Sequence, residues 1–184
     1  MLKIITKPNL INGDLYKWDD LETGDNIHNV DLNLHPGSNL MMTVLADTKA
    51  KCSEVHKVRL PINFDKVGEK ILVSPRKDGC WKGVIALEFN QPVLGVGARI
   101  GVAGLGTPRP FRAMVRTYDT EGKEYEETYI TSSTNKIDNT ALFLGAVSTD
   151  NAIGITRIEF DAEPVIGSNV FAKFAINTLV YKRL

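Results

Sequence analysis

The sequence predicts an all-β fold: an antiparallel two-sheet β-sandwich, jelly-roll-like, of about ten strands. Three observations carry this. Residues 83–122 form three apolar runs separated by turn signals, as consecutive strands of an antiparallel sheet do. Residues 170–183, VFAKFAINTLVYKR, are apolar on both alternating faces, as a central strand buried on both sides would be. Short runs of this kind recur along the chain with Gly, Pro, Asn and Asp between them, and no amphipathic helical pattern exceeds a turn or two.

Taken in order, residues 1–30 read as a polar, irregular segment packed on the sandwich. Their one apolar cluster, Leu15, Trp18 and Leu21, suits a single helical turn or a loop that lays Trp18 on the sheets. In HNVDLNLH (28–35), Val30, Leu32 and Leu34 alternate with polar residues, which predicts a half-buried strand. PGSN (36–39) is a turn and LMMTVL (40–45) the next strand. Residues 46–82 are weakly patterned. Pro61 confines any strand there to an edge, and KILVS (70–74) is a short strand.

The strong strands follow. Ile85, Leu87 and Phe89 share a face, and Asn90-Gln91-Pro92 is expected to break that strand. Residues 93–102 carry glycines at 95, 97 and 101, which mark a bulge or a close approach of another segment. Phe111, Ala113 and Val115 alternate with Arg112, Met114 and Arg116. Asp119 to Gly122 is a hairpin loop with glycine where positive φ is needed, and 123–130 is the returning strand. Strands at 141–147, 153–161 and 170–183 complete the set. The expected core includes Phe89, Val115, Phe143, Ile158, Phe160, Phe174 and Ile176.

The chain has 184 residues, which fits one domain (1–184) with enough core to need no staples. Lys+Arg and Asp+Glu are each 22, a net charge of +0 that argues against a nucleic-acid binder. No apolar run approaches the roughly 20 residues of a membrane span. The start lacks the apolar core of a secretory signal, so a soluble protein of unassigned compartment is expected. Cys52 and Cys80 are the only cysteines. A disulfide between them would close a loop of roughly 28 residues and stabilise by about 3 kcal/mol, and two reduced thiols are the alternative.

The series LEFNQPVLGVGARI, PFRAMVRTYDTEG, ALFLGAV, ITRIEF and FAINTLVY resembles a family of bacterial, often cyanobacterial, exported β-sandwich domains found in PEP-type sorted surface proteins. The shared positions are Phe89, Pro92, Val93, 95–97, Phe111, Ala113, Tyr118, Asp119, Gly122, 143–147 and 174–179, with DLYKWDDL (14–21) as an N-terminal echo. The resemblance implies a galactose-binding-like or lectin-like jelly roll without catalytic residues, and an extracellular setting. Two features depart from the pattern: the sequence ends at Leu184 without a sorting tail, and Ala146 stands inside the "F-x-G-V" position.

Signals for catalysis are absent. No serine sits in a nucleophile elbow, and the spaced glycines of GVGARIGVAGLG run as a strand without a following helix, so they fail the dinucleotide test. His28, His35 and His56 form no ligand spacing. No cofactor is expected beyond a structural calcium, for which Asp14, Asp19, Asp20 and Asp161 are the candidate carboxylates. Sugar recognition needs aromatic platforms and planar polar groups. Trp81 and Tyr118, with Tyr125 and Tyr129 beside them, and Arg109, Arg112 and Arg116 supply those types. The competing account makes the tryptophans core residues and pairs the arginines with Glu124, Glu126 and Glu127 across the hairpin.

The candidate ligand-binding residues are thus Arg109, Arg112, Trp81 and Tyr118, with Arg109 and Arg112 beside an end formed by the 103–110 and 131–140 loops. The expected function is non-catalytic binding of a carbohydrate or another surface ligand. The alternative is a structural or protein-interaction subunit, with homo-oligomers among its forms, that assembles through its sheets or loops. A hydrolase ranks third.

Overall fold

The computed structural model describes residues 1–24, 26–27, 29–45, 53–57, 69–74, 84–103, 109–133, 140–165 and 173–184. The expected features at Cys52, Cys80, Trp81, Pro61 and His28 lie outside them. Fourteen strands occur among the described residues: β1 (Leu2–Ile5), β2 (Asp14–Tyr16), β3 (Asn26–Ile27), β4 (Asp31–Asn33), β5 (Met41–Leu45), β6 (Ser53–Lys57), β7 (Lys70–Val73), β8 (Ile85–Ala103), β9 (Arg109–Asp119), β10 (Glu124–Ser133), β11 (Leu142–Ser148), β12 (Ile155–Pro164), β13 (Lys173–Ile176) and β14 (Leu179–Arg183). The described helical pieces are two single 3-10 turns, Pro8–Leu10 and Trp18–Asp20, and no described helix is long and apolar enough to cross a membrane.

The fold is an antiparallel β-sandwich hinged on β8, whose two halves belong to different layers. Its first half pairs with β12 and β5, and the first sheet runs β10-β9-β12-β8-β5-β4. Its second half pairs with β11 on one side and with β13 and β14 on the other. The second sheet extends through β1 beyond β11, through β7, β6 and β3 beyond β13, and through β2 beyond β14. Across the sandwich β11 lies against β9 and β12, and β1 against β10, with no ladder between them. Phe111, Val115, Ile158 and Phe160 from one sheet meet Val96, Ile100, Leu144 and Phe174 from the other in one continuous core.

Several expectations are adjusted. Residues 90–92 do not end a strand, because β8 runs through them. The ladder to β12 jumps there from Arg157↔Glu88 to Ile155↔Val93, so Pro92 falls where no ladder hydrogen bond is needed from it. Asn90 instead fastens β5: its Oδ1 accepts from the Met41 N–H and its Nδ2 donates to the Asn39 carbonyl, both at 2.8 Å. Val30 is exposed, because Asn29 turns the chain through φ 50° and the alternation begins only at Asp31. Residues 1–30, read as irregular, supply strands to the second sheet. Ile5 and Ile11 from this segment pack on Phe143, Val147 and Val180, covering that sheet's outer side. The strand expected over 170–183 is split into β13 and β14 by Asn177 and Thr178.

The seven expected core residues are all buried. The hairpin after β9 forms as its sequence dictates. Gly122 takes φ 78°, while Asp119 Oδ1 accepts from the Glu121 and Lys123 N–H groups and its Oδ2 accepts from the Tyr125 hydroxyl.

Candidate functional site

Arg112 and Tyr118 stand on the outer face of the first sheet, where Arg112, Met114, Arg116 and Tyr118 alternate with the buried Phe111, Ala113, Val115 and Thr117. They are separated by about 20 Å of strand. Arg112 Nη1 lies 3.7 Å from Glu163. The Arg157 guanidinium sits 5.4 Å from the centre of the Tyr118 ring. Between them Arg116 meets three carboxylates, Glu124 at 3.1 Å, Glu126 and Glu159, the last two in register across the neighbouring strands. The Glu126 hydrogen bond holds the Arg116 pKa above its ordinary value. Burial raises that of Tyr118, with Glu159 and Glu124 adding to the effect. These arginines therefore carry ion pairs of the sheet itself.

Arg109 opens β9, its backbone registered opposite Ser133, and the expected site also drew on the 104–108 and 134–139 segments. Both segments, like Trp81, lie outside the described residues. Asp14 pairs with Arg183 at 3.2 Å, and Asp161 Oδ1 accepts from the Ala162 N–H at 2.7 Å. Among the described residues no group of three or more His, Cys, Asp or Glu side chains converges as a metal site would require.

A different place gathers unspent polar groups. It lies on the outer side of the second sheet, beside the N-terminal segment, and it is built on the break between β13 and β14. Ile176 pairs with Ile100 and Val180 with Gly97, so residues 177–179 face only residues 98–99 of β8. That extra residue is a bulge. Asn177 manages it. Its N–H donates to the Arg99 carbonyl and its Oδ1 accepts from the Arg99 N–H, both at 3.2 Å, so the side chain stands in for its own carbonyl. The displaced carbonyl accepts from Trp18 Nε1 at 3.0 Å, inside the core. The N-terminal segment is thereby pinned to the bulge by a buried bond.

Thr178, thrown out of the ladder, donates its hydroxyl to Glu69 Oε1 at 3.1 Å. Glu69 is only 9% exposed, and its Oε2 is buried with no hydrogen-bond partner among the described residues. A carboxylate oxygen left this way is costly, about 1–3 kcal/mol or more for a charged group. The Nδ2 of Asn177 likewise has no partner among the described residues.

These residues line a cleft of about 280 Å³. Its polar lining is Glu69, Asn177, Thr178, Arg99 and the exposed Lys17; its apolar lining is Pro8, Leu15, Phe143 and Val180. Arg99 is held in place by its Nη1, which donates to the Ala141 carbonyl at 2.7 Å. Leu15 is 59% exposed at this cleft, although its spacing with Trp18 suggested burial. Lys70, at the start of β7, donates to the Asp19 and Leu21 carbonyls and ties the Trp18–Asp20 turn to the strand that follows Glu69.

The arrangement offers one buried acceptor, several donors and an apolar wall within a volume fit for a small ring-sized ligand. None of Glu69, Asn177, Thr178, Arg99 or Lys17 was a candidate from the sequence. The one available signal was the Asn-Thr pair interrupting the apolar run FAINTLVY.

No family model matches the chain, and no curated protein matches it in sequence. The resemblance to exported, PEP-sorted domains thus gains no support from either comparison. Among solved structures, the chain is similar to the CBM22-1 xylan-binding domain of Paenibacillus barcinonensis Xyn10C, at 11% identity and a TM-score of 0.39, over 89% of this chain and 98% of that one. It is also similar to the enzymatically active domain of tailspike protein 4 of bacteriophage CBA120, at 15% identity and a TM-score of 0.35, over 80% of this chain and 20% of that one.

Proposed function

We propose that the chain is a non-catalytic binding module that takes a small polyhydroxylated ligand of the carbohydrate class in the Glu69–Asn177 cleft. The observation behind this reading is the buried Glu69 carboxylate, whose Oε2 has no partner among the described residues, beside a cleft with donors and an apolar wall. A sugar ring has hydroxyls for the polar groups and C–H faces for Leu15, Pro8 and Phe143. Glycoside hydrolysis needs a pair of carboxyl groups about 5–10 Å apart. Glu69 is the one carboxylate among the described residues that line the cleft, which favours binding over turnover.

The test is a titration of the intact protein with a panel of mono- and oligosaccharides, followed by NMR. The expected result is that a saccharide shifts the Asn177 side-chain amide and the Leu15 and Val180 methyls, and that Glu69→Gln weakens it. A panel that shifts none of these signals refutes the reading. Loss of binding on Arg112→Ala with none on Glu69→Gln would place the ligand on the outer face of the first sheet instead.

A further inference from the structure

The binding role proposed for the cleft leads to a narrower statement about its ligand, one that stands only if that role does. We infer that the inner end of the cleft recognises a pair of neighbouring hydroxyls, one donating to Glu69 Oε2 and the next accepting from Asn177 Nδ2.

The two protein groups have opposite and fixed polarity. With Thr178 donating to one oxygen of the Glu69 carboxyl, the other is offered here as the acceptor. The amide of Asn177 cannot turn over, because its Oδ1 already takes the Arg99 N–H inside the bulge, where a flipped NH₂ group would confront another donor. Its Nδ2 therefore only donates. The two groups are also close in construction. Thr178, next in the chain after Asn177, holds Glu69 by its other oxygen at 3.1 Å. The acceptor and the donor are thus set on adjoining supports, both lining one cleft.

A hydroxyl is the group that can both donate and accept, so two on adjacent carbons satisfy both positions without a change of protonation. Charged alternatives fit less well. An ammonium would satisfy Glu69 but leave the Asn177 donors unmet, and it would share the cleft with Arg99 and Lys17. A phosphate or carboxylate would suit Asn177 and Lys17 but would set a second acidic group against the buried Glu69 carboxyl. A neutral vicinal diol remains.

The experiment uses the intact protein and methyl glycosides of the common pentoses and hexoses, with the tightest binder then compared with its monodeoxy analogues at each ring position. Removing either hydroxyl of one adjacent pair should weaken binding roughly ten- to hundredfold, since a polar protein group in the cleft then loses its partner. The remaining deoxy positions should change it by less than about threefold. Glu69→Gln, which keeps an oxygen for Thr178 but turns the free acceptor into a donor, should weaken the parent glycoside at least tenfold. If that variant does not fold, as its amide spectrum would show, the deoxy series on the unaltered protein still decides. A glycoside that shifts the Asn177 amide yet tolerates loss of every single hydroxyl, or depends on non-adjacent ones, overturns this inference and leaves the binding role standing. If no glycoside produces a shift, both fall.

Discussion

Gly97 and Gly145 oppose each other in the ladder between β8 and β11, and substituting the first should be far more damaging than substituting its neighbour Gly95. A Cβ on Gly97 would lie 2.6 Å from Phe143 Cζ, 2.7 Å from the Leu144 carbonyl oxygen and 2.8 Å from Gly145 Cα. Two of these three atoms are backbone of the paired strand, so relief requires the ladder itself to part. A Cβ on Gly95 would meet Ile11 Cγ2 at 3.2 Å and Val147 Cγ1 at 3.3 Å, both side-chain ends that can shift by a few tenths of an ångström. Overpacking costs about 1–3 kcal/mol and more where nothing yields, so Gly97→Ala should lose about 3 kcal/mol or more. For a domain of this length that lowers the melting temperature by about 6–12 °C. Gly95→Ala should stay within about 1 kcal/mol of the parent, because the alanine also stiffens the unfolded chain. Urea unfolding followed by circular dichroism measures both. Equal losses, or a loss below ~1 kcal/mol for Gly97→Ala, would show that β8 and β11 do not approach as closely as described. The Phe143 ring also lines the cleft, so the surviving folded fraction of Gly97→Ala should bind glycosides more weakly.

Phe174→Ala, in the core between the sheets, should cost about 3–5 kcal/mol in the same assay, and a value near zero would mean that β13 faces the other way. Trp18→Phe keeps the apolar body but orphans the Asn177 carbonyl, so a loss of about 1–3 kcal/mol is expected, with exchange of the Arg99 amide hydrogen accelerated. Asp119→Ala strips three hydrogen bonds from the β9–β10 hairpin and should cost about 1–3 kcal/mol, which thermal unfolding would report. Burial, with Asp20 adding, pushes the Tyr16 hydroxyl up to about 12. The folded state then holds a proton that the unfolded chain releases near pH 10, so this contribution is intact below pH 10 and is lost as pH rises through 12. Alkaline unfolding should be shallower in Tyr16→Phe, and an unchanged profile would contradict the assignment.

The layers of this fold were legible because burial on one side of a strand leaves a period of two in the sequence. Phe111, Ala113 and Val115 against Arg112, Met114 and Arg116 is that record, and the hairpin after it was marked by Asp119 and Gly122. The N-terminal strands were not legible. β1 and β2 lie along the margins of the second sheet, where partners supplied by β11 and β14 decide the conformation rather than any local pattern. Pro92 misled for a related reason: a proline is harmful only where its missing N–H is wanted, and the corner of β8 asks for none there.

The cleft was invisible for a deeper reason. Its parts come from residues 8, 15, 17, 69, 99, 143, 177, 178 and 180, which no local window brings together. Each also has an ordinary explanation when read alone: Glu69 and Lys17 as surface charges, Arg99 as one polar residue in a strand, Asn177-Thr178 as polar residues within a longer strand. What makes them a site is the bulge. It swaps a backbone carbonyl for the Asn177 side chain, sends that carbonyl to Trp18 and leaves Thr178 outside the ladder, free to hold Glu69. Asn177→Ala would leave the Arg99 N–H without its acceptor and remove the Nδ2 donor at once, so it should lose both stability and ligand. Asn177→Asp retains the acceptor but replaces the donor with an anion. It should therefore keep most of the stability while losing affinity for neutral glycosides. If Asn177→Asp bound as tightly as the parent, the amide would be a structural element of the bulge alone, and recognition would have to come from the walls of the cleft.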